Sequence, residues 1–96
     1  MADLFILTKP PRATRSELCF KLMERSENAK LYLAGDGVYH LLNMSALPIT
    51  TEVTVACGED ILARGLPITD DIVIPDNFYG QLVKDMMENS EMVYVF

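Results

Sequence analysis

Tryptophan is absent from this chain, histidine occurs once and cysteine only twice. Two cysteines, Cys19 and Cys57, make no disulfide framework, and no Cys-x-x-Cys pair or Cys/His cluster has metal-ligand spacing. The fold therefore has to rest on an apolar core, with no metal, no cofactor and two free thiols expected. Basic residues are scarce too. Eight Lys and Arg stand against fourteen Asp and Glu, for a net charge of −6, and the eight are scattered rather than gathered along a phosphate-tracking run. Direct binding of nucleic acid is not expected, although an acidic subunit can serve an RNA-modifying pathway when another subunit holds the RNA. No apolar run approaches the roughly 20 residues that span a bilayer, and Met1-Ala2-Asp3 opens no basic-then-apolar leader. A cytoplasmic protein without membrane contact is the expectation.

What the chain does have is hydrophobic residue, 50% of the total. That suffices for one core, and residues 1–96 are expected to form one domain. Leu4-Phe5-Ile6-Leu7 reads as a buried strand closed by Pro10 and Pro11, which cannot continue a ladder. Thr14-Arg15-Ser16-Glu17 fits a capping box, and Leu18, Cys19, Leu22 and Met23 follow at helical spacing, so a helix is predicted from about Thr14 to Arg25. Ala29 to Ala34 is the second strand, halted by Gly35-Asp36-Gly37, and Val38 to Asn43 starts a short helix. Thr51 to Cys57 is the third strand and Gly58 to Arg64 a short helix ended by Gly65. Asp71 to Ile74 is the fourth strand, stopped by Pro75. Asp76 caps a last helix whose apolar stripe is Tyr79, Leu82, Val83 and Met86, and Met92 to Phe96 is a final strand. Alternating strands and helices at this spacing predict right-handed crossovers and a mostly parallel five-stranded open sheet in a three-layer α/β/α, flavodoxin-like arrangement.

In such sheets, ligands collect beyond the carboxyl ends of the strands. Three polar features are predicted there: the turn after the first strand, Gly35-Asp36-Gly37, and Cys57-Gly58. Cys57 closes a strand just before a helix whose unpaired amides favour a thiolate, and Gly58 leaves room for a second sulfur. Glu59 and Asp60 oppose that ionisation, and the competing reading is a small buried residue at a strand end. Cys19 reads as helix core. His40 follows Asp36 by four residues, so the two can approach and poise an imidazole; a partly exposed histidine on a short helix is the alternative. Gly35-Asp36-Gly37 is too short for a dinucleotide fingerprint and reads as a tight turn, with Asp36 a possible cap for the next helix. Arg64 is expected to meet a helix C-terminus, Glu59 or Asp60. The six methionines and the aromatic tail suggest adaptable apolar surface covered by a neighbour.

Several local patterns then line up in order. Leu31-Tyr32-Leu33-Ala34-Gly35-Asp36-Gly37-Val38-Tyr39 resembles the strand and Asp-Gly-Val turn of DsrH/TusB subunits. Glu59-Asp60-Ile61-Leu62-Ala63-Arg64-Gly65-Leu66 is similar to their acidic, Leu-Ala-Arg-Gly segment, Phe78 to Val83 to the helix before their last strand, and Leu4 to Pro10 to their start. The resemblance covers nearly the whole chain. It implies the small α/β fold shared by the DsrE, DsrF and DsrH (or TusD, TusC and TusB) subunits, assembly into hexamers, and passage of persulfide sulfur between protein cysteines for tRNA wobble-uridine 2-thiolation or for sulfur oxidation. Cys19 falls where DsrH-type chains with a functional cysteine carry it, and Cys57 where DsrE/TusD chains carry theirs. The chain departs from the pattern in ending on Tyr94-Val95-Phe96, without the C-terminal Trp often seen.

Three readings result. In the first, a thiolate at Cys57 or Cys19 acts as a sulfurtransferase-type carrier, with Asp36, His40 and Gly58 shaping the site and with sulfur-donor and acceptor proteins as partners. In the second, both thiols are packed and the chain is a non-catalytic scaffold beside DsrE/DsrF (TusD/TusC)-like subunits or copies of itself. In the third, a flavodoxin-like module binds a small anion near Gly35-Asp36-Gly37.

Overall fold

The computed structural model describes residues 2–68 and 71–96. Its elements run β1 (Ala2–Leu7), α1 (Thr14–Glu24), β2 (Ala29–Leu33), a 3-10 stretch (Gly35–Ala46), β3 (Thr51–Ala56), α2 (Gly58–Ala63), α3 (Phe78–Glu88) and β4 (Ser90–Val95). The strands form a four-stranded sheet in the order β3-β2-β1-β4, and every pairing is parallel. β1 and β2 lie at the centre, with Phe5 beside Leu31 on one side and Tyr94 on the other.

Among the described residues four strands are formed, not the five expected. Asp71 to Ile74 contributes a single parallel bridge, Val55 to Val73, at the outer edge of β3. Ala56 N–H donates to Val73 O at 2.9 Å and Val73 N–H to Thr54 O at 3.0 Å, and pairing stops there. The cause is local: Pro75 has no N–H to extend the ladder.

Period-two alternation divides the core. Phe5, Leu7, Leu31 and Leu33 face α1 and the 3-10 stretch, where they pack with Cys19, Met23, Val38 and Leu41. Leu4, Ile6, Tyr32 and Val55 face the other way and are covered by Phe78 and Leu82 of α3. Helices thus cover both faces, which suits the near-continuous apolar strands.

Three helix details depart from expectation. The capping box does not form: Ala13 is the N-cap of α1 with no side-chain cap, and Ser16 Oγ donates instead to Pro10 O at 2.8 Å. Asn77, not Asp76, caps α3, accepting the Gly80 N–H at 3.1 Å. The buried stripe of α3 is also rotated. Leu82 is buried, but Tyr79 and Val83 are 61% and 52% exposed and Met86 is also at the surface. Phe78, Leu82 and Asp85 form the inward face. The physical reason is Tyr32. Its ring meets Phe78 at 5.6 Å between centroids, and its buried hydroxyl donates to Asp85, so the helix turns an acceptor inward where hydropathy alone would place a methionine. Leu18 on α1 is likewise half exposed.

Candidate functional site

The loops at the carboxyl edge are stitched together by backbone. Ala34 N–H donates to Leu7 O at 3.2 Å and Cys57 N–H to Leu33 O at 3.0 Å. Gly37 is demanded by this closeness, since a Cβ there would run into the carbonyl of Leu7. The loop after β2 and the end of β3 are therefore brought side by side.

Cys57 is the N-cap of α2, 5% exposed, and forms part of the wall of a cleft of about 290 Å³ with Gly58, Glu59, Ile74, Asn77 and Tyr79. Its thiol is pushed up, chiefly by burial and further by the Asp60 carboxylate, even though the Asp60 and Glu59 amides favour the anion. The helix-start amides expected to favour a thiolate are present but outweighed. Gly58 lines the same cleft, where a Cβ would stand 3.0 Å from Ile74 Cγ2, so the lack of a side chain lets α2 start close against Ile74.

Beside the Cys57 thiol, through Asp60, lies a charged clamp. Arg64 Nη2 and Nε meet Asp36 Oδ1 at 3.0 and 3.2 Å, and Arg64 Nη1 lies 3.6 Å from Asp60 Oδ1. Asp60 Oδ2 also accepts the Gly35 N–H at 2.7 Å. One guanidinium thus ties α2 to the loop after β2, and Asp60 is shared between that tie and the thiol. The expected Arg64–Asp60 contact is present, while its partnership with Asp36 was not foreseen.

Asp36 and His40 are not brought together. Asp36 is engaged by Arg64, and His40 is buried on the α1 side, where Nε2 lies 3.0 Å from Lys9 O and 3.3 Å from Ser16 Oγ. Burial lowers the His40 pKa, the Lys9 carbonyl only partly opposing it. The pairing fails because the segment is a 3-10 stretch opening at Gly35, with three residues per turn, so residues four apart no longer stack. Nor does Asp36 cap it: its N-cap is Ala34, with no side-chain hydrogen bond.

Cys19 is wholly buried, its thiol 3.9 Å from Met23 Sδ and pushed up to about 12 by burial. It packs on the face opposite Cys57. Tyr79, which hydropathy assigns to the core, lines the Cys57 cleft instead. Its phenol is pushed up by burial and then by Cys57, Asp60 and Glu59. The signal in the sequence was a hydroxyl inside an otherwise apolar stripe. Among the described residues no three His, Cys, Asp or Glu side chains could share a metal ion, and no helix is long and apolar enough to cross a membrane. Against known proteins, no family model, no curated protein and no solved structure matches this chain.

Proposed function

We propose that this chain is a sulfur-relay subunit of the DsrH/TusB type and that Cys57 is the thiol that carries sulfur. One observation supports the choice of residue above the others: Cys57 closes a parallel strand at the edge where ligands collect and lines a cleft, while Cys19 is sealed in the core. The Cys57 thiolate attacks the outer sulfur of a donor protein's persulfide. The donor S–S bond breaks, the donor thiolate leaves and is protonated, and Cys57 holds the sulfur as a persulfide. An acceptor thiolate then attacks that outer sulfur and Cys57 departs as thiolate, with no net oxidation. Because burial and Asp60 keep the resting thiol protonated, transfer is fast only once a docked partner shields the carboxylate. The donor, the acceptor and DsrE/DsrF (TusD/TusC)-like or identical subunits are the partners. The exposed Tyr79, Val83 and Met87 of α3 supply an apolar surface for them.

The test is intact mass measurement after incubation with a persulfide donor. Wild type and Cys19→Ala are expected to gain one sulfur atom and Cys57→Ser none. The scaffold reading is favoured by the 5% exposure of Cys57. It predicts no gain in any of the three.

A further inference from the structure

A second concavity, of about 240 Å³, lies between α1 and the 3-10 stretch, with Pro11 and Phe20 as apolar wall and Arg12, Glu17 and His40 among its polar groups. It shares no residue with the cleft at Cys57. Three features converge on it.

Arg12 has φ 72°, the single non-glycine residue with positive φ among those described. Ala13 N–H donates to Pro10 O at 3.3 Å, which makes Pro10–Ala13 a β-turn with Pro11 second and Arg12 third. Positive φ at the third position marks a type II turn, where glycine or asparagine is the relaxed choice. A guanidinium-bearing residue is kept there against its backbone preference, a pattern that gathers at binding sites. Arg12 and Glu17 border the same cleft with opposite charge, and neither side chain has an ion-pair or hydrogen-bond partner among the described residues. His40 is 5% exposed, and its Nε2 faces the Lys9 carbonyl at 3.0 Å. A carbonyl only accepts, so Nε2 carries the hydrogen and Nδ1 keeps its lone pair. Nδ1 has no partner among the described residues.

We propose that this cleft binds a free α-amino acid with a small branched apolar side chain, Arg12 taking the carboxylate, Glu17 and His40 Nδ1 the ammonium, and Phe20 with Pro11 the side chain. An unpaired cation, an unpaired anion, a neutral acceptor and an apolar wall in one small space match the groups of a zwitterion. The volume restricts the ligand to on the order of ten non-hydrogen atoms. This site stands independently of sulfur transfer.

Titration of the 15N-labelled chain with L-leucine, 4-methylpentanoate (no amine) and 3-methylbutylamine (no carboxylate) tests it. L-Leucine is expected to shift the Arg12, Phe20 and His40 resonances saturably, and each truncated compound to bind about tenfold more weakly or worse. Arg12→Gly relaxes the turn and removes the guanidinium, so its melting temperature should rise while leucine affinity falls about tenfold. Should that variant be insoluble, Glu17→Gln replaces it and is expected to bind leucine no better than 4-methylpentanoate. Leucine affinity retained in Arg12→Gly, equal binding of the three compounds, or no leucine-dependent shift would each overturn the proposal.

Discussion

The two thiols differ at the level of single residues, and the difference is measurable. Cys19 touches only core, so alkylation of the native protein should leave it unmodified while Cys57 reacts slowly. Because burial and Asp60 raise the Cys57 pKa, its rate should rise only at a pH above that of an exposed cysteine. Asp60→Asn should bring the rise to lower pH, and a profile unmoved by that change would remove the role given to the carboxylate. Cys19→Ser should cost about 1–3 kcal/mol, since a buried hydroxyl there would face only the weak thioether acceptor of Met23, while Cys19→Ala should cost less. Urea midpoints read both. Cys19 was legible as core from its place beside Leu22 and Met23. The state of Cys57 was not, since it depends on how deeply folding buries the thiol and on the Asp60 carboxylate beside it.

Among elements, α3 shows where periodicity misleads. Tyr79, Leu82, Val83 and Met86 make a clean stripe in the sequence, yet the helix rolls so that Asp85 faces Tyr32. No one-dimensional pattern records a buried hydroxyl on another element that needs an acceptor. Asp85 also accepts from Asn89 Nδ2 at 3.0 Å and lies 3.7 Å from Lys30 Nζ. Burial alone would raise its pKa, but these partners outweigh it and hold the carboxyl below its usual range. The sign follows: the folded chain binds the proton less readily than the unfolded one, so this contribution is present above the unfolded carboxyl pKa and is lost as pH falls through the lower folded value. Tyr32→Phe and Asp85→Ala should each destabilise, the latter by about 1–3 kcal/mol, and the double variant by less than their sum. Asp85→Ala should also flatten the acid limb of the stability curve, which pH-dependent thermal melts would register. On the outer face, Val83→Glu should change stability by only about 0.5 kcal/mol, whereas Leu82→Ala should cost about 2–5 kcal/mol. A large loss at Val83 would mean that a partner surface already contributes to folding.

For the whole molecule, β1 to β3 and the parallel arrangement were legible because buried parallel strands read as unbroken apolar runs between turn residues. The missing fifth strand was not, since Asp71 to Ile74 has strand composition but stops at a proline before a second bridge to β3 can form. Chain order hides a further point. β1, at the centre of the sheet, is flanked by β2 close in sequence and by β4 at the far end, and Thr8 Oγ1 bonds Phe96 O across a separation of 88 residues. Contacts of that span slow folding toward the millisecond-to-second range. During synthesis, then, Leu4, Phe5 and Ile6 leave the ribosome long before the strand that will shelter one flank, and a polypeptide cut off at Glu88 would carry its most apolar strand with an open border. Such a fragment should aggregate more readily than the full chain, giving the nascent protein an interval in which a chaperone's hold matters.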